Sequence, residues 1–559
     1  MYKYFWLSKC SFLLNLKHLP FFTKQKILLL LIAAMLLPAL LTNLGLVAFY
    51  GDEGIRSLVA LEMKISGNYL TPTLFGEFYY NKPPLYNWIL LAVFELSGQN
   101  DEFIARCTTI FFLLLFAGTV YFFNKNLVSP QEPSLRKPIT TPAASYPILP
   151  ALGLITCGRI LFWDSLLALI DICFSWMMYL LFMVVFQQGE KERYGRLFAW
   201  AYLLAAIGFM LKGLPALVFL AISLLTYFIW QKKWSKLFSW AHTGGILVFF
   251  LLVGGYYFLY ARQNGLGEVF KTLFQESAKR TFVEYGFGQT LLHLLTFPFE
   301  LWYHFLPWTL LAVYFFKKNA WQRIRQNKFV TWNLLVFLTT ILPYWSSVEV
   351  YPRYLFMQVP LIFSAFFYLH FTNEANDLRL KRAVESIFMI LCLLAMLASL
   401  LIPFWKEARS ADFLFLKTAF LFVTLGLLGW LYLQWKMYRM MVFVLVMLVA
   451  RLGFDWFILP SRARVECSTQ VRETTLEAVK NLHGRPLYIY KNSLGFQPVT
   501  GYYFTRETGR ILRNLNENFD TSALYIVHTG LFDQSQFEEI SNITIIWQCN
   551  ELMIGRIKR

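Results

Sequence analysis

The sequence predicts a polytopic α-helical membrane protein of about 13 transmembrane helices, closed by a small C-terminal α/β domain. Three observations lead there. Of 559 residues, 57% are hydrophobic and 19% aromatic, and the apolar residues fall in runs of about 17–25, the length that crosses a bilayer. The net charge of +18 sits between those runs, which is the topogenic pattern of cytoplasmic loops and argues against a nucleic-acid partner. The last hundred residues change character, alternating short helical and strand-like stretches.

The spans read as 27–48, 104–124, 145–162, 165–187, 197–211, 213–231, 238–260, 295–316, 329–346, 354–372, 383–404, 412–435 and 439–458. Residues 1–26 carry five lysines and no clean small-residue cleavage site, so they read as a cytoplasmic N-terminus ahead of a retained anchor. The segment 85–99 is apolar but short, follows Pro83-Pro84 and carries Glu95. Taking it as an interfacial helix places 24 Lys and Arg in the cytoplasmic loops and 11 outside, as the positive-inside rule asks. Residues 27–458 then form one membrane domain with an outer loop at 50–103, and residues 459–559 lie outside the cytoplasm.

In that tail, Ser468–Leu482 and Gln534–Ile540 read as helices. Pro486–Tyr490, Ala523–Val527, Ile543–Trp547 and Leu552–Arg556 read as strands, enough for one core. No glycine-rich phosphate loop is visible, so no catalysis is assigned to it. Cys467 and Cys549 lie there and pair if they are close in space. Cys107, Cys157, Cys173 and Cys392 fall in apolar runs as packing residues, and the absence of a CxxC pair argues against a structural zinc site.

With this topology the unusual polar residues gather at outer helix mouths. Asp52-Glu53 opens a helix just beyond the first span, where an acid caps a helix as readily as it orients or deprotonates a hydroxyl; Glu53 serves equally to hold Arg56. Lys82 returns beside the rigid Pro83-Pro84. Asp164 lies at a span mouth, and Asp171, two turns deeper, reads as a structurally paired carboxylate. Lys212 sits in a tight corner, either snorkelling or offering a point charge to phosphate. Arg280 in the loop 261–294, and Arg353 flanked by Tyr351 and Tyr354, supply further cations and hydroxyls suited to phosphate. His293 is a lone histidine, no metal-ligand set is visible, and Arg451 and Asp455 pair at i, i+4.

These blocks, in this order, resemble the polyprenyl-phosphate-dependent GT-C glycosyltransferases, within them the aminoarabinose–lipid A transferase and protein O-mannosyltransferase-like group. The resemblance rests on Asp52-Glu53-Gly54-Ile55-Arg56, Gly67-Asn68-Tyr69-Leu70-Thr71-Pro72 and Tyr80-Asn81-Lys82-Pro83-Pro84-Leu85. It continues through Arg159 with Asp164, Leu211-Lys212-Gly213, Leu306-Pro307-Trp308 and Pro352-Arg353-Tyr354. It implies a GT-C-like fold in the cytoplasmic (inner) membrane with its site facing the periplasm, a polyprenyl-phosphate-linked sugar donor, a lipid or protein acceptor, and inversion at the anomeric carbon. Catalysis would fall to Asp52, Glu53 and Asp164, and the donor phosphate to Lys82, Lys212, Arg280, Arg353 and Tyr354. No cofactor is required on this reading, and a divalent metal stays open. The competing readings are a lipid-linked saccharide transporter or flippase, which would line a path through the bilayer with cations, and an O-antigen ligase-like protein.

Overall fold

The computed structural model describes residues 21–127, 146–278, 282–372, 378–517, 519–533 and 535–558. The chain enters through α1 (Phe21–Leu41) and turns at 42–51 into α2 (Asp52–Ser66), which ends at Gly67 in the left-handed conformation. A two-stranded hairpin, β1 (Thr73–Leu74) and β2 (Glu77–Phe78), leads to α3 (Leu85–Ser97). Thirteen residues give α3 about 20 Å, short of a ~30 Å hydrocarbon core. It lies against α2, joined by Lys64–Glu95 at 2.8 Å.

Long helices follow: α4 (Glu102–Leu127), α5 (Ile170–Glu190) and α6 (Tyr194–Lys212). Far along the chain α7 (Arg439–Val465) runs across the expected domain boundary at 458 and delivers the tail.

Among the described residues, eight helices are long and apolar enough to cross a membrane, or nine if the pair Tyr146–Thr156 and Gly158–Leu166, bent by 44°, is counted as one span. The other four expected spans are short or interrupted. Residues 213–231 become Pro215–Trp230 and 354–372 become Val359–Phe371. Residues 329–346 split into Lys328–Thr340 and Leu342–Trp345, and 295–316 divide between the end of Phe282–His304 and a 3₁₀ segment, Trp308–Phe316. Apolar content alone joins stretches that Pro307 and Pro343 separate, because proline removes a helix donor and clashes with the preceding turn. The count of 13 is therefore not reached by full-length helices.

The tail forms a five-stranded sheet in the order β4-β3-β5-β7-β6. Its strands are β3 (Leu487–Tyr490), β4 (Arg513–Leu515), β5 (Leu524–His528), β6 (Phe537–Thr544) and β7 (Glu551–Ile557). β3 pairs parallel with β4 and β5, whereas β7 is antiparallel to both β5 and β6. Two helices pack with it, α8 (Cys467–Asn481) and α9 (Pro498–Thr508).

Two expectations change here. Residues 534–540 were expected as a helix, yet 537–544 form β6, and of the expected strand Ile543–Trp547 only Ile543 and Thr544 belong to it. Pairing with β7 and burial of Phe537 and Ile543 outweigh local propensity, and a bulge between Glu539 and Ser541 absorbs the irregular pattern. Helix α9, buried from Pro498 to Thr505, has no clear apolar periodicity and escapes the sequence reading. Cys467 and Cys549 form a disulfide that ties the start of α8 to the approach of β7. One apolar core runs from Leu28 of the bundle to Ile554 of the sheet, so the tail is packed onto the membrane domain, and a second, smaller core of Ala523, Tyr525, Val527 and Phe537 belongs to the tail alone.

Candidate active site

Gly51 precedes α2 with φ of 56°, a conformation that side chains disfavour. It turns the chain so that Asp52 and Glu53 occupy the first turn, where the helix dipole favours negative charge. Adjacent helical residues diverge by about 100°, and the structure divides the pair accordingly.

Glu53 points inward and is fully buried. Its Oε1 accepts from Arg106 Nε at 2.9 Å and Ala168 N at 2.7 Å, and its Oε2 accepts from Arg106 Nη2 at 2.9 Å and Tyr50 N at 3.0 Å. Arg106 donates its remaining hydrogens to the carbonyls of Leu44, Val47 and Ala48 at 2.7–3.1 Å. Both carboxylate oxygens of Glu53 are therefore engaged away from solvent. Its expected catalytic role is corrected to holding the turn 42–51 and α2 in register. Nor does it hold Arg56, which lies over the Tyr79 ring at 5.6 Å.

Asp52 points outward, its side chain 48% exposed, with Oδ2 2.8 Å from Arg353 Nη2. Arg353 Nε stands 3.4 Å from Asp171 Oδ2, and Asp171 Oδ1 is 2.5 Å from Lys212 Nζ. That ammonium lies 3.9 Å above the centre of the Tyr354 ring and 5.2 Å from that of Phe174. Arg353 in turn covers Tyr351 at 4.6 Å. Burial acts to lower the Arg353 pKa, but Asp171 and Asp52 outweigh it, so the guanidinium titrates above its ordinary value.

Four charged residues from four separated parts of the chain thus form one continuous row. Asp171, expected to be structurally paired, is paired, and its partners are two of the cations expected to hold phosphate. Asp164 lies within electrostatic reach of Asp171 and Arg353. Its Oδ2 meets Arg159 Nε at 2.5 Å, and its buried Oδ1 has no hydrogen-bond partner among the described residues. Beyond it Arg451 and Asp455, both fully buried, pair at 2.7 Å, and Arg451 Nη1 reaches Ser165 Oγ at 3.1 Å.

Lys82 is half-buried in the turn before α3. The hairpin leading to that turn is held by Glu62, which accepts from Thr73 Oγ1 at 2.6 Å, Phe75 N at 2.7 Å and Gly76 N at 3.1 Å. Arg280 lies outside the described residues. His293 is buried beside Phe297, its Nε2 3.4 Å from the Tyr344 carbonyl. Among the described residues no three His, Cys, Asp or Glu side chains converge as a metal site.

Arg106 and Glu62 were missed. An arginine at the start of an apolar run is the kind of membrane charge that demands a partner, and that signal was available for Arg106. Glu62 carried none.

No family model matches the chain. A curated undecaprenyl phosphate-alpha-4-amino-4-deoxy-L-arabinose arabinosyl transferase from Edwardsiella ictaluri (strain 93-146) is 26% identical over 198 residues, 35% of this chain. The match spans 33% of that relative. Two crystal structures of ArnT from Cupriavidus metallidurans, one bound to undecaprenyl phosphate and one in the apo state, align with a TM-score of 0.66. The alignments cover 94% and 95% of this chain and 97% and 98% of theirs, at 13% and 14% identity. Over the aligned 94–95% of its length the chain has the ArnT fold, the fold its motifs led us to expect.

Proposed function

We propose that this chain is a polyprenyl-phosphate-dependent glycosyltransferase of the cytoplasmic (inner) membrane. It moves a sugar from a polyprenyl-phosphate donor to a lipid (lipid A-like) or protein acceptor at the periplasmic face, with inversion. The observation that carries the reading is the row Asp52–Arg353–Asp171–Lys212, roofed by Tyr354. A sugar on a lipid phosphate arrives as a diester with one negative charge. When the anomeric carbon–oxygen bond breaks, the departing monoester gains a second. Lys212 and Arg353 are the groups to balance that charge, and Lys82 and Arg280 are assigned to the same phosphate on the motifs that carry them. The acceptor oxygen attacks from the opposite face.

Asp52, half exposed beside those cations, orients the acceptor or takes the proton of an acceptor hydroxyl, a contribution of about 10²–10⁴-fold. Where the nucleophile is an already ionised phosphate oxygen, no proton is removed and Asp52 only positions it. Asp164, already paired with Arg159, shapes the sugar side. The ArnT of Cupriavidus metallidurans, whose fold this chain has, was solved bound to undecaprenyl phosphate.

The orientation has two supports. The Cys467–Cys549 disulfide suits an oxidising compartment, and the tail that carries it packs against the same α2 that carries Asp52. Among the described residues the charge row is confined to one end of the bundle, which favours an enzyme over a transporter lined with cations.

The test uses purified protein in nanodiscs with an undecaprenyl-phosphate-linked sugar and bacterial lipid extract. Wild type should release undecaprenyl phosphate and glycosylate an acceptor. Asp52→Asn should lose at least about tenfold in turnover with donor affinity kept or raised, whereas Lys212→Ala or Arg353→Ala should weaken undecaprenyl phosphate binding. Full binding in both cation variants would remove them from the donor site.

A further inference from the structure

The tail, in which the sequence shows no catalytic motif, is fastened to the turn and helix that present Asp52. On α2, a Cβ at Gly54 would stand 2.6 Å from Val499 Cγ2 and 2.9 Å from the Val499 backbone nitrogen of α9. On α9, a Cβ at Gly501 would stand 3.0 Å from Leu58 of α2, and closer still to the Phe75 ring. The two helices touch through glycines, leaving no room for a side chain at either point.

Beside this contact Glu102, the first residue of α4 and only 4% exposed, gathers three groups from the tail. They are Tyr503 Oη at 2.7 Å, Arg472 Nη1 at 3.1 Å and Arg506 Nη1 at 3.8 Å. Two of the three also hold the turn entering α2. The Phe49 amide donates to Tyr503 Oη at 3.1 Å, and Arg472 Nη2 donates to the Leu46 carbonyl at 3.2 Å. One turn along α4, Arg106 grips Leu44, Val47, Ala48 and Glu53. Residues 44–53 are therefore held from one side by α4 itself and from the other by the tail, and Glu102 is where the two supports meet.

We infer that the C-terminal domain is a working part of the active site, and that Glu102 is a positioning residue through which its docking sets the place of Asp52. An acid is required there rather than an apolar residue, because Arg472 and Arg506 enter a buried corner and need its charge. The inference rests on the role given above to Asp52, and its test separates the two.

Glu102→Gln keeps the size and removes the charge. Glu385→Gln is the control: Glu385 is also buried and also bonded to an arginine, Arg439, but at the opposite end of α7 from the tail. In the full-length protein, Glu102→Gln should lose at least about tenfold in turnover at saturating donor while the donor KM stays within about twofold. Glu385→Gln should keep its turnover. Hydrogen exchange, read without substrate, should rise over residues 46–60 in Glu102→Gln and stay at the wild-type level in Glu385→Gln. Arg472→Gln, milder because Arg472 is 22% exposed, should show the same changes on a smaller scale and serves if Glu102→Gln does not accumulate.

Unchanged exchange over 46–60 overturns the coupling. Retained turnover, or an equal loss in Glu385→Gln, overturns its catalytic consequence. Absence of transfer by the wild type counts against the proposed function, and the exchange experiment then decides the docking inference alone.

Discussion

Asp171→Asn deletes one charge from the middle of the row without altering side-chain size. In the structure this side chain is 5% exposed, with Lys212 Nζ at 2.5 Å and 9% exposed, and Arg353 Nε at 3.4 Å and 18% exposed. Removing one member of a buried ion pair costs about 3–5 kcal/mol, because the other charge stays buried without compensation. Here the loss is softened. Arg353 keeps Asp52 at 2.8 Å, and Lys212 keeps the Tyr354 ring at 3.9 Å, a cation–π contact of about 1–2 kcal/mol. The expected destabilisation is about 2–3 kcal/mol, seen as a lower unfolding midpoint in detergent. Undecaprenyl phosphate should then act in the opposite sense. On the proposed reading its phosphate competes in the wild type with Asp171 for the same cations, and in the variant that competitor is gone. The ligand should therefore raise the midpoint more in Asp171→Asn than in the wild type, tenfold tighter binding corresponding to about 1.4 kcal/mol. A variant as stable as wild type without ligand would show that the buried pair contributes nothing. One stabilised less by the ligand would show that Lys212 and Arg353 do not meet its phosphate.

Three further outcomes are expected. Lys82→Ala should lower kcat/KM by about 2–4 kcal/mol of transition-state stabilisation, with weaker donor binding, and Lys82→Arg should recover only part because a planar guanidinium fits a point-charge site poorly; unchanged donor affinity in Lys82→Ala would take this lysine out of the phosphate site. Cys467→Ser with Cys549→Ser should lower stability by about 2–5 kcal/mol and abolish the mass shift that reduction and thiol labelling give the wild-type tail, whereas no shift in wild type would mean the bridge does not form in the cell. A reporter fused after Arg559 should be active only outside the cytoplasm and one fused after Lys233 only inside; the reverse for either would mean that 85–99 crosses the membrane.

The elements that composition can reveal were legible in the sequence: the long apolar helices, the short helix after Pro83-Pro84, and the α/β character of the tail. Whether an apolar stretch becomes one full span was not, because Pro307 and Pro343 break helices whose average hydropathy is continuous. Residues 537–544 show the same limit in the tail, where pairing with β7 makes a strand of a segment whose first half reads as part of a helix at 534–540. Within the site, the motif order brought Asp52, Asp164, Lys212, Arg353 and Tyr354 to attention, and these lie together. It could not divide Asp52 from Glu53. That division depends on which side of one helical turn faces Arg106, a residue 53 positions further on, and no local pattern encodes it. The role of Asp171 was half legible: a carboxylate that deep must have a partner, but only the folded chain shows that the partners are Lys212 and Arg353.

This pairing bears on how the proposed site would work. Three acids, Asp52, Asp164 and Asp171, face three cations, Arg159, Lys212 and Arg353, so the row is electrically compensated before any substrate enters. A site built only to attract phosphate would carry uncompensated positive charge, at the cost of self-repulsion in a poorly solvated place. The compensated row avoids that cost, and on the proposed reading it means that phosphate binds by exchange. On that reading Arg353 turns toward the donor phosphate and withdraws from Asp52, the most exposed acid of the three. The carboxylate proposed to meet the acceptor is thus engaged while the site is empty and released when the donor is in place. Placing the acid and the donor-binding cation in one ion pair links the two halves of the reaction through a single contact of 2.8 Å. That contact has no need of a moving domain, which fits a tail packed onto the bundle through Gly54 and Gly501.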